Sequence, residues 1–575
     1  LTESLPMTAP LVVLERLSYQ YPRSETLALR DISLEIQRGE FVGLIGPTGA
    51  GKTTLCLALN GIVPQFYGGR FFGRALVAGL DTVEQPVHAL AARVGMVFED
   101  PETQLTATSV ENEIAFALEN LRTPRAIIRQ RIARVLAVVG LMGLGRRHPH
   151  ELSGGQKQRL AIAAALAVEP ALLVLDEATS QLDPAGAAEV FSVLRALNRE
   201  QGMTVVMASH AAEELAEFAD RLFLLAEGVL VEEGTPDTIY SQVALLEAHQ
   251  LRPPQVAKTF SLLPEPPVRL PVRLEEGLAA LPKQLIGLEP PAVISQRPHA
   301  APMISVEGLH HRFADGTPAL TGIDLAFYPG EYALIVGQNG AGKTSLVKHL
   351  LRLLEPTQGR VLVLGRDTRE WTVGTLARHI GYVAQNPDQQ IFNATVMQEI
   401  AFALRQLHFP PEEVASRTAE ALTVLGLEAV ADQHPFSLPK GDRARVIIAA
   451  MLVLQPQVII LDEPTTGQDY AGARAILDLS RVLHEQGKTI IVITHQLYLM
   501  PGYAERVIVM GKGQVLLDAP LRQAYHALDV LRDTQLSPPQ AVLLGQHLCP
   551  AVQLLTPEEV AHCLATSQAS GGDPC

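Results

Sequence analysis

The sequence predicts an α/β fold, built as two copies of a mainly parallel sheet covered by helices. Three observations predict it. Two long stretches of the chain carry the same motifs in the same order, short apolar runs in each are the length of strands, and helical stretches separate these runs. Because strands that alternate with helices form mainly parallel sheets, we expect one such sheet in each copy.

The repeat is visible in pairs of matching segments. GPTGAGKTT begins at Gly46 and GQNGAGKTS at Gly337, and both are followed much later by an apolar run that ends in Asp-Glu. Further on, LRPPQ at 251–255 recurs as LSPPQ at 536–540, and each leads to a Glu-Glu pair. The chain is therefore interpreted as two copies of one unit, each with a short C-terminal accessory piece.

The strands of each copy are predicted from apolar runs without polar alternation. FVGLIG at 41–46, ALLVLD at 171–176 and TVVMAS at 204–209 have strand length, and unbroken apolar runs are typical of strands buried on both faces. AIIRQRIARVLAVVG at 126–140 is helical in character. These elements place the glycine-rich segment at a strand end that leads into a helix.

Both glycine-rich segments match G-x-x-x-x-G-K-[ST], the pattern of a phosphate-binding loop. Glycines let the backbone approach phosphate oxygens, the lysine adds a charge beside the β- and γ-phosphates, and the next hydroxyl is a ligand for Mg²⁺. The sequence thus predicts two sites for ATP and Mg²⁺. The candidate residues are Gly46, Gly49, Gly51, Lys52, Thr53 and Thr54, and Gly337, Gly340, Gly342, Lys343, Thr344 and Ser345.

An acidic pair ends an apolar strand in each copy, and a histidine ends the next one. The aspartate is predicted to hold Mg²⁺ directly or through water, and the glutamate to orient or deprotonate an attacking water. The imidazole is expected to reach the γ-phosphate. These residues are Asp176, Glu177 and His210 in the first copy and Asp462, Glu463 and His495 in the second.

ELSGGQKQRLAIAAAL at 151–166 places a serine and two glycines at the start of a strongly helical run. With the motifs above, it resembles the ATP-binding cassette (ABC) ATPases over about residues 11–250 and 303–530. The resemblance implies an ATPase made of two tandem P-loop NTPase domains, each with a helical signature subdomain. It also implies that the cassettes pair head to tail, so that each ATP lies between one phosphate loop and the other cassette's signature. In this sequence the intact signature is Ser153, Gly154, Gly155 and Gln156.

A narrower resemblance lies in FEDPETQLTATSVENEIAFALENL at 98–121 and AQNPDQQIFNATVMQEIAFALRQL at 384–407. These segments are similar to the Q-loop and following helix of the energy-coupling factor (ECF) importer ATPases, which take up vitamins and transition-metal ions. The resemblance implies partners that are integral membrane transporter subunits, namely a transmembrane coupling subunit and a substrate-binding subunit. It assigns Glu99 and Gln385 to the catalytic Q-loop position, and Tyr21 and Phe313 to the aromatic that stacks on adenine.

The expected domains follow from the repeat and the resemblance. They are a first ATPase domain at 11–250 with an accessory extension at 251–282, a proline-rich linker at 283–302, a second ATPase domain at 303–530, and an accessory extension with the tail at 531–575.

Two departures from the family pattern concern the same expected ATP site. The second signature reads Leu438-Pro439-Lys440-Gly441-Asp442, in which proline removes a hydroxyl and an N–H, and aspartate places a carboxylate near the triphosphate. In the first copy, Glu99 stands where the family usually has glutamine. We therefore expect the site that joins the first phosphate loop to the second signature to be the weaker one.

Composition limits the alternatives. The chain has 575 residues with 46 basic and 61 acidic side chains, a net charge of −15, which argues against a nucleic-acid partner. Four scattered cysteines do not form a disulfide framework, and the longest apolar stretch, 446–461, is shorter than the roughly 20 residues of a membrane helix. The N-terminus lacks the basic start of a secretory signal.

The ECF resemblance implies that the chain is the ATP-hydrolysing subunit of an importer for a vitamin, a vitamin precursor or a transition-metal ion. We therefore expect it to be bound peripherally at the cytoplasmic face of the cell membrane. Two alternatives remain. A soluble tandem ABC ATPase of translation or DNA repair would favour a charged helical linker or a basic surface. The fused ATPase of a sugar importer tends to have a decayed second phosphate loop, whereas Lys343 and Thr344 are intact.

Overall fold

The computed structural model describes residues 9–282 and 300–570, and it divides into two units. Among the described residues, one unit comprises 9–281 with 561–570, and the other comprises 282 and 300–560. Of the predicted linker, residues 283–299 lie outside the described part of the chain, as do residues 571–575 of the tail. Within the described ranges, no helix is both long and apolar enough to cross a bilayer.

The first unit contains ten strands in two sheets. They are β1 (Val12–Gln20), β2 (Leu29–Ile36), β3 (Phe41–Ile45), β4 (Arg70–Val77), β5 (Leu80–Asp81), β6 (Val94–Val97), β7 (Leu172–Asp176), β8 (Thr204–Ala208), β9 (Arg221–Ala226) and β10 (Val229–Gly234). One sheet is six-stranded in the order β10-β9-β3-β8-β7-β6, and the other is four-stranded and antiparallel in the order β2-β1-β4-β5. The larger sheet is parallel except for β10, which runs antiparallel to β9.

The helices of residues 9–282 lie between these strands and in the accessory piece. They are α1 (Lys52–Leu59), α2 (Ile62–Gln65), α3 (Val87–Ala91), α4 (Val110–Asn120), α5 (Arg125–Val138), α6 (Gly154–Leu166), α7 (Pro184–Gln201), α8 (Ala212–Phe218), α9 (Pro236–Tyr240), α10 (Val243–Ala248), α11 (Gln255–Ser261) and α12 (Leu274–Ala280), with 3-10 turns at Pro101–Thr103 and Pro149–Glu151.

The second unit repeats both sheets, in the orders β16-β17-β18-β13-β19-β20 and β12-β11-β14-β15. Again only the last strand of the larger sheet is antiparallel. The strands of the two sheets in the second unit are β11 (Ile304–Arg312), β12 (Pro318–Phe327), β13 (Tyr332–Val336), β14 (Gln358–Val363), β15 (Arg366–Asp367), β16 (Ile380–Val383), β17 (Val458–Asp462), β18 (Thr489–Ile493), β19 (Arg506–Gly511) and β20 (Gln514–Pro520).

The helices of residues 300–570 follow the same plan. They are α13 (Lys343–Leu350), α14 (Val373–Leu376), α15 (Val396–Gln406), α16 (Pro411–Leu425), α17 (Lys440–Leu452), α18 (Tyr470–Glu485), α19 (Leu521–His526), α20 (Leu528–Asp533), α21 (Gln540–Leu548) and α22 (Pro557–Ser570), with 3-10 turns at Thr368–Glu370, Pro387–Gln390, Glu428–Val430, Pro435–Ser437 and Leu497–Leu499.

Both faces of the larger sheet are buried, which explains the unbroken apolar runs of its strands. In β7, Leu173 and Leu175 belong to a core shared with helices α4 to α7, whereas Leu172 and Val174 belong to a core shared with α1 and the antiparallel sheet. The predicted mainly parallel sheet is confirmed. The antiparallel sheet was not predicted, because its strands alternate polar and apolar residues only over parts of their length.

The repeated Glu-Glu pair of the accessory pieces caps a helix in each copy. Glu276 accepts a hydrogen bond from the Val272 N–H at 2.9 Å, and Glu559 accepts one from the Leu555 N–H at 2.7 Å. Each glutamate also binds an arginine, Arg273 at 2.8 Å and Arg522 by both guanidinium nitrogens. The second glutamate of the repeated pair is thus structural in both accessory pieces.

Candidate nucleotide-binding and hydrolysis sites

The phosphate loop of each unit runs between the central strand and the helix that follows it, β3 to α1 and β13 to α13. The first glycine presses against the neighbouring strand, since a Cβ on Gly46 would lie 2.2 Å from the Leu225 carbonyl oxygen and one on Gly337 would lie 2.3 Å from that of Met510. Only glycine fits there. The loop is therefore fixed against the sheet at the N-terminus of the following helix, the place where backbone amides can meet an anion.

The lysine of each loop folds back over the loop itself. Lys52 Nζ donates to the carbonyl oxygens of Gly46 at 2.7 Å and Pro47 at 3.2 Å. Lys343 Nζ donates to those of Gly337 at 2.6 Å and Gln338 at 3.2 Å. Both lysines are buried, so their charge is directed into the concave side of the loop, where a phosphate would sit.

A threonine hydroxyl and a strand-end aspartate meet beside each lysine. Thr53 Oγ1 donates to Asp176 Oδ1 at 3.1 Å, and Thr344 Oγ1 donates to Asp462 Oδ2 at 3.4 Å. Burial raises the pKa of each aspartate to about 6, and the adjacent glutamate adds to the rise. An exposed hydroxyl held beside a buried carboxylate offers two oxygen ligands, which suit a hard cation such as Mg²⁺.

The glutamate after each of these aspartates is held by its backbone. Glu177 and Glu463 both have φ of 50°, a left-handed conformation that costs a non-glycine residue on the order of 1–3 kcal/mol. Their N–H groups donate to the carbonyl oxygens of Ala208 at 3.0 Å and Ile493 at 2.8 Å. The neighbouring strand thus fixes the backbone position of each glutamate. A fixed backbone is consistent with a side chain that is placed for a reaction.

The histidine that ends the next strand faces this glutamate. His210 Nε2 lies 3.1 Å from Glu177 Oε1, and His495 Nδ1 lies 3.1 Å from Glu463 Oε2. Burial opposes ionisation of Glu463, but His495 outweighs it and lowers the pKa of Glu463. Glu463 is therefore ionised at neutral pH, and in both units the imidazole lies within hydrogen-bond distance of the glutamate.

The Q-loop segment comprises residues 99–104 in the first unit and 385–390 in the second. In each unit its last residue, a glutamine, accepts a hydrogen bond from the backbone N–H of the residue just before the segment. Gln104 accepts from the Phe98 N–H at 3.3 Å, and Gln390 accepts from the Ala384 N–H at 2.9 Å. Glu99 lies close enough to Asp176 for its charge to contribute to the raised pKa of that aspartate. Gln385 is exposed at the matching position.

The two signature helices start differently. Ser153 Oγ accepts from the Gln156 N–H at 3.3 Å while Gln156 Oε1 accepts from the Ser153 N–H at 3.0 Å, which is a capping box at the start of α6. Helix α17 begins after Pro439 without a side-chain cap, and Asp442 pairs with Arg445 at 3.2 Å. The hydrogen bonds of the first signature and the ion pair of the second are thus both made within the start of the signature helix.

The two predicted adenine-stacking aromatics lie in different surroundings. Tyr21 is half-buried, packs edge-on against Tyr19 at 4.8 Å between ring centroids, and places its hydroxyl 3.2 Å from Thr54 Oγ1 at the phosphate loop. Phe313 is exposed and packs edge-on against His311. The stacking role of both remains a prediction.

One residue of the second site was missed by the sequence analysis. Tyr382 at the end of β16 donates its hydroxyl to Asp462 Oδ2 at 3.2 Å. The matching position of the first copy is Met96 in β6. Aligning VGMVFEDPE with IGYVAQNPD would have exposed the difference, because a tyrosine one strand away from an acidic strand end is within reach of it.

Comparison with known proteins agrees with this geometry. The family model described as ABC transporter matches residues 29–180 and 320–466. A Methanosarcina acetivorans protein, provisionally described as an ABC transporter ATP-binding protein, is 40% identical over 94% of this chain and 91% of its own length. A Caldanaerobacter subterraneus protein with the same description is 38% identical over 96% of this chain and 98% of its own length.

A solved structure is also similar. It is CbiO1 from Clostridium perfringens, described as part of the ABC transporter complex CbiONQ, with 35% identity, a TM-score of 0.38, and coverage of 42% of this chain and 96% of that chain. The two family matches cover both copies of the site, and the relatives span almost the whole length. The chain is therefore a member of the ABC transporter ATPase family, with two ATP-binding domains in tandem.

Proposed function

We propose that this chain is the ATP-hydrolysing subunit of an ECF-type importer for a vitamin, a vitamin precursor or a transition-metal ion. The observation that carries the proposal is the segment after each Q-loop. In both units the Q-loop segment contains a short 3-10 turn, and the braced loop and amphipathic helix that follow it leave large apolar side chains exposed.

The loop of this segment is braced by a buried glutamate. Glu113 Oε2 accepts from the N–H groups of Thr106 at 2.8 Å and Ala107 at 2.7 Å. Glu399 Oε2 accepts from those of Phe392 at 3.0 Å and Asn393 at 2.7 Å. A carboxylate that accepts two backbone N–H groups holds a loop in one conformation, so the segment is a preformed surface.

Aromatic side chains project from this surface. Phe116 on α4 is 57% exposed and Phe392 before α15 is 63% exposed, the latter packing edge-on against Phe402 at 4.6 Å. Exposed aromatics on a rigid surface are typical of protein interfaces. Their position supports docking of a transmembrane coupling subunit at this face of each unit, and hence a peripheral location at the cytoplasmic side of the membrane.

The proposed reaction uses the side chains described above. The phosphate loop and its lysine hold the triphosphate, and Glu177 or Glu463 accepts a proton from the attacking water, oriented by His210 or His495. Thr53 with Asp176, and Thr344 with Asp462, would hold Mg²⁺, which neutralises charge on the transferred phosphoryl group. Glu99 and Gln385 are proposed to complete the water site.

We propose further that the two cassettes of one chain pair with each other, since a tether raises the concentration of one near the other. The phosphate loop of the second unit would then face the signature that begins at Ser153, and that of the first unit would face the one altered at Pro439 and Asp442. The first of these sites would be the faster one.

Co-purification tests the proposed function. The full chain is expressed with the membrane subunits encoded beside it, and membranes are washed and probed for the chain. We expect retention that Phe116→Asp and Phe392→Asp together reduce at least tenfold, while Phe72→Asp, a change at an aromatic that is 54% exposed on β4, leaves retention intact. Absence of retention, or binding to ribosomes or DNA instead, would overturn the importer function.

A further inference from the structure

A cation in the first turn of each signature helix reaches an acidic residue of the Q-loop segment in the same unit. Lys157 Nζ bonds to Glu102 Oε1 in the first unit. In the second unit, Arg443 Nη1 lies 3.1 Å from Asp388 Oδ2. The four residues occupy matching positions of the repeat, so the two copies make the same contact with different side chains.

The contact is fixed at both ends. The side chains of Lys157 and Arg443 are only 14% and 19% exposed, although each sits on a helix start. Glu102 is in a 3-10 turn whose first N–H groups are capped by Asp100, which accepts from the Glu102 N–H at 2.9 Å. The hydrogen bond from Lys157 lowers the pKa of Glu102, against the effect of partial burial.

Each unit adds one further contact of its own at this place. In the first unit, the buried Gln158 donates from Nε2 to the Phe98 carbonyl oxygen at 3.4 Å, immediately before the Q-loop segment. In the second unit, the matching residue is Ala444, and the Arg443 guanidinium instead lies 5.7 Å from the centre of the Phe436 ring. The first unit therefore has a second hydrogen bond between the helix start and the edge of the Q-loop segment, whereas in the second unit Phe436 contacts the cation of the shared pair.

The two connected elements have different tasks in the proposed reaction. The Q-loop segment begins with Glu99 or Gln385 and leads into the exposed docking surface, whereas the signature helix start is proposed to meet a nucleotide. A cation that is largely shielded from solvent and bonds across them makes the position of one depend on the position of the other, because moving either alone would separate that cation from its partner.

We propose that Glu102 with Lys157, and Asp388 with Arg443, are positioning residues that couple the Q-loop segment to the start of the signature helix. The effect on catalysis rests on the proposed role of the signature in binding ATP, whereas the coupling itself does not. Neither pair touches the reacting atoms, so both act through the residues at the ends of the elements that they connect.

Variants of the full-length chain that reverse the charge of one or both members of a pair test the coupling. Hydrogen exchange is measured at 99–104 and 154–158 in Glu102→Lys, Lys157→Glu and the double variant. Each single change is expected to speed exchange at the distant partner element about fivefold or more, and the double variant to return it to within about twofold of the original protein. For the second pair, hydrogen exchange is measured at 385–390 and 440–444 in Asp388→Arg, Arg443→Asp and the double variant, with the same expected result.

The matched control is Glu169→Lys, which breaks the pairs of Glu169 with Arg131 at 2.7 Å and with Arg134 at 3.0 Å. Glu169 is 50% exposed and Glu102 is 58% exposed, so the two reversals are comparable in solvation. The control should leave exchange at 99–104 and 154–158 unchanged. Equal acceleration by Glu169→Lys, or a double variant no better than the singles, would overturn the proposal.

ATPase kinetics on the same variants separate the coupling from the proposed function. We expect the single variants of the first pair to lower kcat about fivefold with KM for ATP within about twofold, and the double variant to recover. Coupled exchange with an unchanged kcat would support the positioning contact and contradict the proposed catalytic role of the signature.

Discussion

The two nucleotide sites are alike where they would touch phosphate and different where a signature would complete them. Lys52 and Lys343 fold over their loops with nearly identical contacts. The signature helix starts with a capping box at Ser153 but with an uncapped proline at Pro439. Both helices form over 13 residues, so the difference lies at the helix start, where Pro439 offers neither a hydroxyl nor an N–H to a ligand.

The signature favours the first unit, whereas the surroundings of the acidic residues favour the second. The Glu463 side chain is 6% exposed and that of Glu177 is 15% exposed. Tyr382 adds a hydrogen bond to Asp462 that Met96 cannot make to Asp176. The second unit thus has the drier and better-connected catalytic groups, and the first unit has the intact signature. Head-to-tail pairing would combine these two advantages in one site.

The largest expected difference is between the two glutamates. Glu463→Gln is expected to remove nearly all ATPase activity, because loss of a general base costs about 10²–10⁴ in rate, while Glu177→Gln leaves a substantial fraction. Steady-state ATPase assays of the assembled complex measure both. Equal losses would remove the asymmetry, and the reverse order would mean that the half-sites pair differently.

Restoring the second signature should reduce the asymmetry. In a Glu463→Gln background, the combined change Pro439→Ser, Lys440→Gly and Asp442→Gln is expected to raise the residual ATPase rate by about 10²-fold, since one missing donor to a transition state costs about that much. Phosphate release measures the gain. The same changes in a Glu177→Gln, Glu463→Gln chain provide the control, and a gain there would contradict a hydrolytic origin.

The two aspartates are expected to behave alike in the nucleotide-free protein. Each aspartate has a pKa of about 6 in the folded protein and 3.8 in the unfolded chain. Between these two pH values the folded state binds more protons than the unfolded state. The free energy of unfolding therefore rises as the pH falls from about 6 to 3.8. Asp176→Asn and Asp462→Asn should each stabilise their unit by up to about 3 kcal/mol at pH 8. Denaturant titrations should show this advantage vanish near pH 4, and a benefit from only one variant would break the similarity.

The smallest expected difference concerns Tyr382. Tyr382→Phe removes one hydrogen bond to Asp462, worth about 1 kcal/mol, and should raise the Mg²⁺ concentration needed for half-maximal ATPase activity about fivefold. Met96→Leu is the matched control in the first unit and should leave that concentration unchanged. An unchanged Mg²⁺ requirement in Tyr382→Phe would show that the hydroxyl is not part of the site.

Much of the site was predictable because its motifs depend on backbone geometry. Gly46 and Gly337 are required by a close contact with a neighbouring strand, so the pattern of glycines reports the loop directly. The parallel sheet was predictable for a related reason, as strands such as 171–176 carry apolar residues on both faces.

What escaped prediction depends on contacts between distant side chains. Tyr382 reaches Asp462 from a neighbouring strand, and Lys157 reaches Glu102 from a helix that lies 55 residues further along the chain. No local pattern marks either pair. The antiparallel sheet escaped because register shifts in the pairing of β1 and Gly73 in β4 interrupt the alternation of polar and apolar residues.

The left-handed backbone at Glu177 and Glu463 has a consequence for the preparation of ATP-trapped forms for structure determination. Replacing Glu463 by Gln or Ala keeps a Cβ in this conformation, whereas Gly occupies it without strain and Asn tolerates it better than most residues. Inactive variants that are equivalent in chemistry should therefore differ in thermal stability, with Gly and Asn above Ala. A trap chosen by activity alone would keep the backbone strain, so stability should be compared across the set before crystals or grids are prepared.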